Sequence, residues 1–135
     1  MPRLGRLHIP DGCYHVMGRG LERCSIFSTI DDKEDFLNRI GAALERNDAC
    51  GLAWAVMSNH YHLLIKVGAN PLSKLMALLL TGYAINYNLR HNRAGYIFLS
   101  RFRSIPCDEE EYLLRLLRYI HLNPWKAGML GDREA

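Results

Sequence analysis

His60 and His62 are separated by a single residue at the start of the stretch NHYHLLIKV, residues 59–67. In a β-strand, side chains alternate between the two faces, so both imidazoles are expected side by side on one face. Neutral imidazole donates a lone pair at neutral pH, and two neighbouring rings can bind one metal ion. The opposite face is predicted to pack into the core, and it carries Tyr61, Leu63, Ile65 and Val67. The same pattern also suits two partly buried structural histidines.

Two histidines leave the coordination shell of a metal ion incomplete, so another element has to contribute a ligand. A histidine-triad hydrolase would carry its third histidine at position 64, which is Leu64 here. The HExxH helix of zincin proteases is absent from the sequence. These two classes of histidine enzyme are therefore excluded.

A candidate nucleophile and a candidate further ligand lie in the segment DEEEYLLRLLRYIHLNP, residues 108–124. A helical repeat of ~100° per residue gives this segment one apolar stripe, formed by Leu113, Leu116, Leu117 and Ile120. Tyr119 and Asn123 are four residues apart and therefore share one side of the predicted helix. An activated tyrosine hydroxyl can attack an electrophile, and an amide oxygen is compatible with a metal ion. The alternative is an ordinary amphipathic tyrosine, with its ring packed and its hydroxyl in water.

Strands and helices that alternate along the chain would position these residues. The predicted order is a strand at 12–20, a helix at 31–47, a hairpin at 49–67 that bends at residues 58–59, a helix capped by Asn70 and reaching about residue 90, an extended stretch at 96–107, and a helix from Asp108. Strands interleaved with helices in a short chain predict an α+β fold with helices packed on a central antiparallel sheet. At 135 residues the chain is expected to form one domain, spanning residues 1–135.

The charged residues are unevenly distributed, although the net charge is only +3. Eight of the fourteen acidic residues begin two predicted helices, at 31–35 and 108–111, where they complement the helix dipole. Thirteen of the seventeen cations are arginine, whose planar side chain suits bidentate phosphate contacts. The arginines that could line a phosphate-binding surface are Arg19, Arg23, Arg90, Arg93, Arg101 and Arg103. An ordinary solvated face would show the same composition.

No segment has the length and composition of a membrane span or a targeting signal. The apolar run LMALLL at residues 75–80 is far short of the ~20 residues that cross a bilayer. Arg3 and Arg6 are not followed by an apolar segment or a small-residue cleavage site. A cytoplasmic protein without a membrane partner is expected.

The combination of these residues resembles the single-tyrosine HUH transposases, and especially the REP-associated tyrosine transposase group. The motifs that carry the resemblance cover nearly the whole chain in the family order. They are YHVMGRG with a following arginine (14–23), the WxVMxNHxHLLI block (54–65), a long helix bearing asparagines and ending in a glycine turn, RFRS (101–104), and RYIHxNPxKAG (118–128). The histidine block and the YIxxNP block form a specific combination at this separation, whereas either alone would be only suggestive.

The resemblance implies roles for individual residues. His60 and His62 match the histidines that hold a divalent cation, usually Mg²⁺ or Mn²⁺, and Asn123 matches a further polar ligand. Tyr119 matches the nucleophile, which forms a covalent 5′-phosphotyrosine intermediate during cleavage and rejoining of single-stranded DNA. The implied fold is a ferredoxin-like antiparallel sheet flanked by helices. The implied partner is single-stranded DNA that forms hairpins, bound by a monomer or a homodimer.

The sequence departs from the family pattern in two places. Ser100 stands where many relatives have glutamine. The sequence also ends at Ala135, where relatives often continue, and the lack of a tail could alter DNA binding or oligomeric state.

Two alternative functions remain. A metal-dependent nuclease that uses activated water would share the metal site without forming a covalent adduct. A nucleic-acid-binding module without catalysis would explain the arginines but gives no role to Tyr119 and Asn123.

Overall fold

The computed structural model describes residues 12–99 and 101–107, and four strands and two long helices alternate along this part of the chain. In chain order the elements are β1 (Cys13–Arg19), a 3₁₀ turn (Leu21–Arg23), α1 (Ile30–Arg46), β2 (Cys50–Val56), β3 (His60–Lys66), α2 (Leu72–Arg90) and β4 (Arg103–Cys107). The strands form one sheet in the order β2-β3-β1-β4, and all neighbours are antiparallel. This β-α-β-β-α-β arrangement is the ferredoxin-like fold, and it confirms the predicted α+β class.

Both helices pack on one face of the sheet. The buried side chains between the layers include Tyr14 and Val16 of β1, Leu63 and Ile65 of β3, Phe36 and Ile40 of α1, and Leu75, Met76, Leu79 and Tyr83 of α2. The apolar face predicted for the histidine stretch is confirmed, because its four side chains are at most 2% exposed. His60 and His62 therefore lie on the opposite face of the sheet, away from the helices.

The two helices begin close to their predicted positions, and their caps are of different kinds. Thr29 caps α1 by accepting a hydrogen bond from the Asp32 amide, and the Asp32 side chain bonds back to the Thr29 amide. The predicted Asn70 cap on α2 is wrong by one residue, because Pro71 occupies the cap position with an extended backbone and no side-chain cap. The Pro71 carbonyl accepts from the Lys74 amide, so the first helical residue is Leu72.

The stretch at 96–107 is not one continuous strand. Met17 pairs with Arg103, so the same register would pair Gly20 with residue 100, yet Gly20 pairs with Phe98. The register therefore shifts by two residues between the isolated bridge at Phe98 and β4. The prediction of extended chain holds for these two paired stretches and is wrong for Leu99 and Arg101, which form bends.

None of the helices in the described ranges has both the length and the apolar character needed to cross a membrane.

Candidate functional site

The central strands β1 and β3 place the two sequence-predicted histidines beside residues of β1. In the β1–β3 register Met17 is opposite His62 and Arg19 is opposite His60. Cross-strand partners share a face, so the alternate residues of β1 extend the histidine face. The pairing brings a histidine and an arginine that are distant in sequence onto adjacent strands.

Gly18 and Tyr61 determine this register. They are direct cross-strand partners, and the Tyr61 ring lies against Gly18 on the core side of the sheet. A Cβ atom on residue 18 would come within 2.6 Å of Tyr61 Cζ, so the ring requires glycine at this position. A slip of one residue would turn His60 and His62 into the core. The glycine in YHVMGRG therefore has a positional role in the histidine site.

A cavity of about 490 Å³ opens on the histidine face of the sheet. The residues that line it come from β1, β3 and the segments that follow them: Met17, Gly18, Arg19, Arg23, Asn59, His60, Tyr61, His62, Leu99, Arg101 and Arg103. Four of these residues are arginines, and none of the described lining residues is acidic. The described lining of the cavity is thus predominantly basic, which suits an anionic ligand.

Arg23 reaches this cavity through an unusual backbone turn. Glu22 and Arg23 both have left-handed backbone angles, with φ of 53° and 61°, a conformation that costs non-glycine residues about 1 kcal/mol each. The turn is tied to the β2–β3 connection, because Gly20 N donates to Asn59 O at 2.9 Å and Asn59 Nδ2 donates to Arg23 O at 3.4 Å. These bonds hold the turn in place beside the histidines.

Three imidazoles, one more than the sequence pattern indicated, form a cluster on this face. The His60 and His62 rings have centroids 5.3 Å apart and are nearly perpendicular, at 86°. His15 of β1 stacks on His62 at 5.2 Å and 29°, and His15 Nε2 lies 3.0 Å from His62 Nδ1. On the other ring, His60 Nδ1 donates to Asn59 Oδ1 at 2.8 Å. Burial lowers the pKa of His15 below its ordinary value, which favours its neutral form.

The described part of the chain offers two candidate imidazole ligands but no complete metal site. Across residues 12–99 and 101–107, no group of three or more histidine, cysteine or acidic side chains is arranged to hold a metal ion. The donor chemistry of His60 and His62 fits a divalent cation, since neutral imidazole nitrogens bind such ions. Tyr119, Asn123 and Ser100 lie outside the described residues.

The structure brings four of the six candidate arginines together and places the other two elsewhere. Arg19, Arg23, Arg101 and Arg103 line the histidine cavity. Arg90 lies at the end of α2, where its Nε donates to Asp32 Oδ1 at 2.8 Å and its Nη1 donates to Asp35 Oδ2 at 3.1 Å. Arg93 follows the same helix and donates to Asn88 Oδ1 and to the Tyr96 carbonyl.

Comparison with known proteins places this arrangement in a family. The model of IS200-like transposases matches residues 9–123, which include both histidines, Tyr119 and Asn123. The chain belongs to the IS200-like transposase family. A comparison with curated protein sequences gave no match.

Two solved structures share the fold of this IS200-like transposase. One is a REP-associated tyrosine transposase bound to a REP hairpin, with a TM-score of 0.69 and 16% sequence identity over 95% of this chain and 75% of that chain. The other is a candidate transposase from Deinococcus radiodurans R1, with a TM-score of 0.61 and 14% identity over 89% of this chain and 96% of that chain. At these identities the likeness concerns the fold.

His15 and Asn59 are the functional candidates that the histidine spacing alone did not identify. Both are present in the motifs that carry the family resemblance, YHVMGRG and NHxH. Asn59 precedes His60, so its proximity could have been anticipated from the sequence. His15 and His62 are 47 residues apart, and their contact depends on the register between two strands.

Proposed function

We propose that this chain is a metal-dependent transposase that cleaves and rejoins single-stranded DNA through a covalent 5′-phosphotyrosine intermediate on Tyr119. Membership of the IS200-like family supports the transposition of DNA. The observation that carries the proposal is the cavity in which His60 and His62 lie among four arginines, with no acidic side chain among the described lining residues. The arginines of such a surface attract a phosphodiester, and the two histidines beside them can bind a metal ion.

The arginines bind the DNA backbone in this proposal. A guanidinium group forms paired, charge-assisted hydrogen bonds to phosphate oxygens, and it stays charged at every physiological pH. Arg19 and Arg103 belong to neighbouring strands, whereas Arg23 ends the 3₁₀ turn that follows β1 and Arg101 lies shortly before β4. The four side chains therefore reach the cavity from separate segments of the chain and could contact successive phosphates of a strand that passes the histidines.

His60 and His62 would hold a divalent cation, Mg²⁺ or Mn²⁺, together with Asn123. The bound ion would supply Lewis-acid polarisation of the scissile phosphate. Imidazole nitrogens on a β-strand are well suited to this role, because the strand fixes their spacing before any ligand binds. The two described ligands come from β3, and the third comes from a segment near the C-terminus.

Tyr119 is the nucleophile. Its Oη–P bond forms as the bond between phosphorus and the 3′ oxygen breaks, and that oxygen leaves as a 3′ hydroxyl after taking up a proton. An unperturbed tyrosine hydroxyl is protonated at neutral pH, so a base must accept its proton during attack. The intermediate is still a phosphodiester, in which the Tyr119 Oη–P bond replaces the broken bond to the 3′ oxygen, so a 3′ hydroxyl can attack it, release the tyrosine and rejoin the strand.

The proposed partner is single-stranded DNA that folds into hairpins. A structurally similar transposase is bound to a REP hairpin. A single strand can bend into a cleft and expose its phosphates on both sides, whereas a duplex is stiffer. The arginine cavity beside the histidines would hold the single-stranded segment next to the hairpin stem.

A labelled-DNA experiment tests the covalent step. Hairpins with single-stranded flanks are incubated with the protein and Mn²⁺, then resolved on denaturing gels. A label at the 3′ end should appear in a band that survives denaturation and disappears with protease, whereas a label at the 5′ end should give a short free fragment. Tyr119→Phe should abolish the adduct, and Tyr96→Phe, at a side chain 85% exposed, is the matched control that should retain it.

Two results would contradict this proposal. Cleavage without any adduct would favour a nuclease that uses activated water. An adduct that persists in Tyr119→Phe would assign the nucleophile to another residue.

A further inference from the structure

We propose that His15 is a positioning residue that holds His62 in the tautomer required for metal binding, as Asn59 does for His60. The proposal rests on the function proposed above and assigns a role to the third imidazole of the cluster. The motivating contacts are His15 Nε2 to His62 Nδ1 at 3.0 Å and His60 Nδ1 to Asn59 Oδ1 at 2.8 Å. Both histidines of the HxH pair are thus held through the same ring atom, Nδ1.

The contact between Asn59 and His60 defines one tautomer. An amide oxygen can only accept a hydrogen bond, so His60 Nδ1 must carry the proton that it donates to Asn59 Oδ1. The amide orientation is supported by its other end, where Asn59 Nδ2 donates to the Arg23 carbonyl at 3.4 Å. Neutral His60 therefore carries its lone pair on Nε2, the nitrogen on the far side of the ring from Asn59.

The contact between His15 and His62 allows two proton arrangements, and only one of them suits a metal ligand. When His62 Nδ1 donates to His15 Nε2, the lone pair of His62 is on Nε2, as in His60. When His15 Nε2 donates instead, His62 Nε2 carries a proton and cannot bind a cation. We assign the first arrangement, because the lone pair that would bind a metal ion is then on Nε2 in both His60 and His62.

His15 acts through His62 in this assignment and is not itself a metal ligand. Its Nε2 contacts Nδ1 of the His62 ring, whereas the nitrogen proposed to bind the metal ion is Nε2, on the other side of that ring. His15 is also absent from the residues that line the cavity. The arrangement agrees with the lack of a three-ligand group of histidine, cysteine or acidic side chains among residues 12–99 and 101–107.

The fold holds His15 in place before any ligand binds. His15 lies in the middle of β1, where it is paired with Leu64 of β3 and with Ile105 of β4. Its ring is half-buried and stacked on His62 with an interplanar angle of 29°. A partner on a central strand can restrict ring rotation of a ligand, and outer partners of this kind change metal affinity by about 10- to 100-fold.

Two variants of His15 separate hydrogen bonding from packing. His15→Phe keeps a flat ring but has no acceptor for the His62 proton. His15→Gln can place an amide oxygen near the position of the histidine Nε2. If His15 positions His62, Mn²⁺ affinity measured by calorimetry without DNA should fall at least about 10-fold in His15→Phe and stay within about 3-fold of wild type in His15→Gln. His62→Ala, titrated in parallel, reports whether the measured site includes the histidine pair.

A second measurement reads the tautomer without metal or activity. In the metal-free protein, ¹⁵N-correlated spectra of the histidine side chains should show His62 with its proton on Nδ1. His15→Phe should shift His62 towards the other tautomer, and His15→Gln should preserve the wild-type signal. His60 should keep its Nδ1 proton in all three proteins, because Asn59 is unchanged.

Several outcomes would overturn the inference, and they are distinct from failure of the proposed function. If His62→Ala weakens Mn²⁺ binding while His15→Phe has wild-type affinity and an unchanged His62 tautomer, the metal site stands and the role of His15 is wrong. If both variants of His15 lose binding as completely as His62→Ala, His15 is a direct ligand instead. If wild type and His62→Ala bind Mn²⁺ equally, the proposed metal site fails, and the role of His15 fails with it.

Discussion

Two clusters of histidine and arginine lie on opposite sides of the sheet, and their partners distinguish them. In the helix layer, Arg90 and His91 both contact the Asp32 carboxylate, at 2.8 Å and 2.9 Å, and Asp32 is fully buried. On the other face, His60 and His62 contact a neutral amide and a third imidazole, within a cavity lined by arginines. The carboxylates of the first cluster offset its cations, whereas the described residues that line the second include no acidic side chain. Residue type alone therefore does not indicate a binding site.

The Asp32 cluster joins the two helices. Burial alone would raise the pKa of the Asp32 carboxyl, but hydrogen bonds from His91, Arg90 and the backbone amides of Ser28 and Thr29 hold it below its ordinary value. The same carboxylate completes the capping box at the start of α1. Its contacts are thus explained within the protein, and no ligand is needed to account for them.

The largest expected effect concerns catalysis. His62→Ala should lower single-strand nicking by more than about 100-fold, because it removes a proposed metal ligand, while the free energy of unfolding changes by less than about 1 kcal/mol. His91→Ala is the matched histidine variant in the helix layer, and it should lower stability while nicking is retained. Gel-based nicking rates and urea denaturation measure the two properties. Comparable nicking losses in both variants would break the distinction between the clusters.

A large effect on stability is expected at Asp32. Asp32→Ala removes a buried carboxylate that bonds to Arg90, His91 and two backbone amides. The loss of the ion pair and the cap should destabilise the protein by about 3 kcal/mol, as measured by urea denaturation. A loss smaller than about 1 kcal/mol would show that the cluster is a minor part of the packing.

A moderate effect on DNA binding should separate the two groups of arginines. Arg101→Ala and Arg103→Ala should each weaken binding to single-stranded DNA and reduce the slope of log affinity against log salt by about 0.7. Arg93→Ala should leave both quantities near wild type, because Arg93 contacts Asn88 and the Tyr96 carbonyl instead of lining the cavity. Fluorescence anisotropy over a range of salt concentrations measures both quantities. Equal losses in all three variants would extend the DNA surface beyond the cavity.

The smallest expected effect is the pH dependence of stability. Because the folded-state pKa of Asp32 lies below its reference value of 3.8, its contribution to stability is present above about pH 4 and is lost as pH falls through the folded-state value. Asp32→Asn should remove this part of the dependence, so its unfolding free energy should fall less steeply than that of wild type below pH 4. Thermal unfolding between pH 5 and pH 2 compares the two slopes, and identical slopes would contradict the assignment.

The sequence predicted the faces of β3 well because that information is local. Tyr61, Leu63 and Ile65 alternate with more polar residues, and a period of two is sufficient to assign the core face and the histidine face. The predicted start of α2 was wrong by one residue, because proline is compatible with both the cap position and the first helical position. Local patterns therefore gave the elements but not their ends.

The parts of the site that the sequence did not reveal depend on contacts between distant segments. His15 is a lone histidine in its strand, and its contact with His62 depends on the register that Gly18 and Tyr61 impose. Arg90 and Arg101 look alike in sequence, yet one faces carboxylates in the helix layer and the other lines the cavity. Spacing within one segment does not show which residues of distant segments come into contact.

Mapping the position of bound Mn²⁺ tests most directly whether the histidine face is the functional one. Paramagnetic Mn²⁺ broadens the NMR signals of nearby nuclei, so it can be added in small amounts to ¹⁵N-labelled protein while backbone amides are monitored. If the metal site is on the histidine face, the amides of Met17, Arg19 and residues 60–62 should broaden first, and those of Asp32 and His91 should persist. Broadening centred on Asp32 and His91, or no selective broadening at His60 and His62, would show that the histidine face is not the metal site.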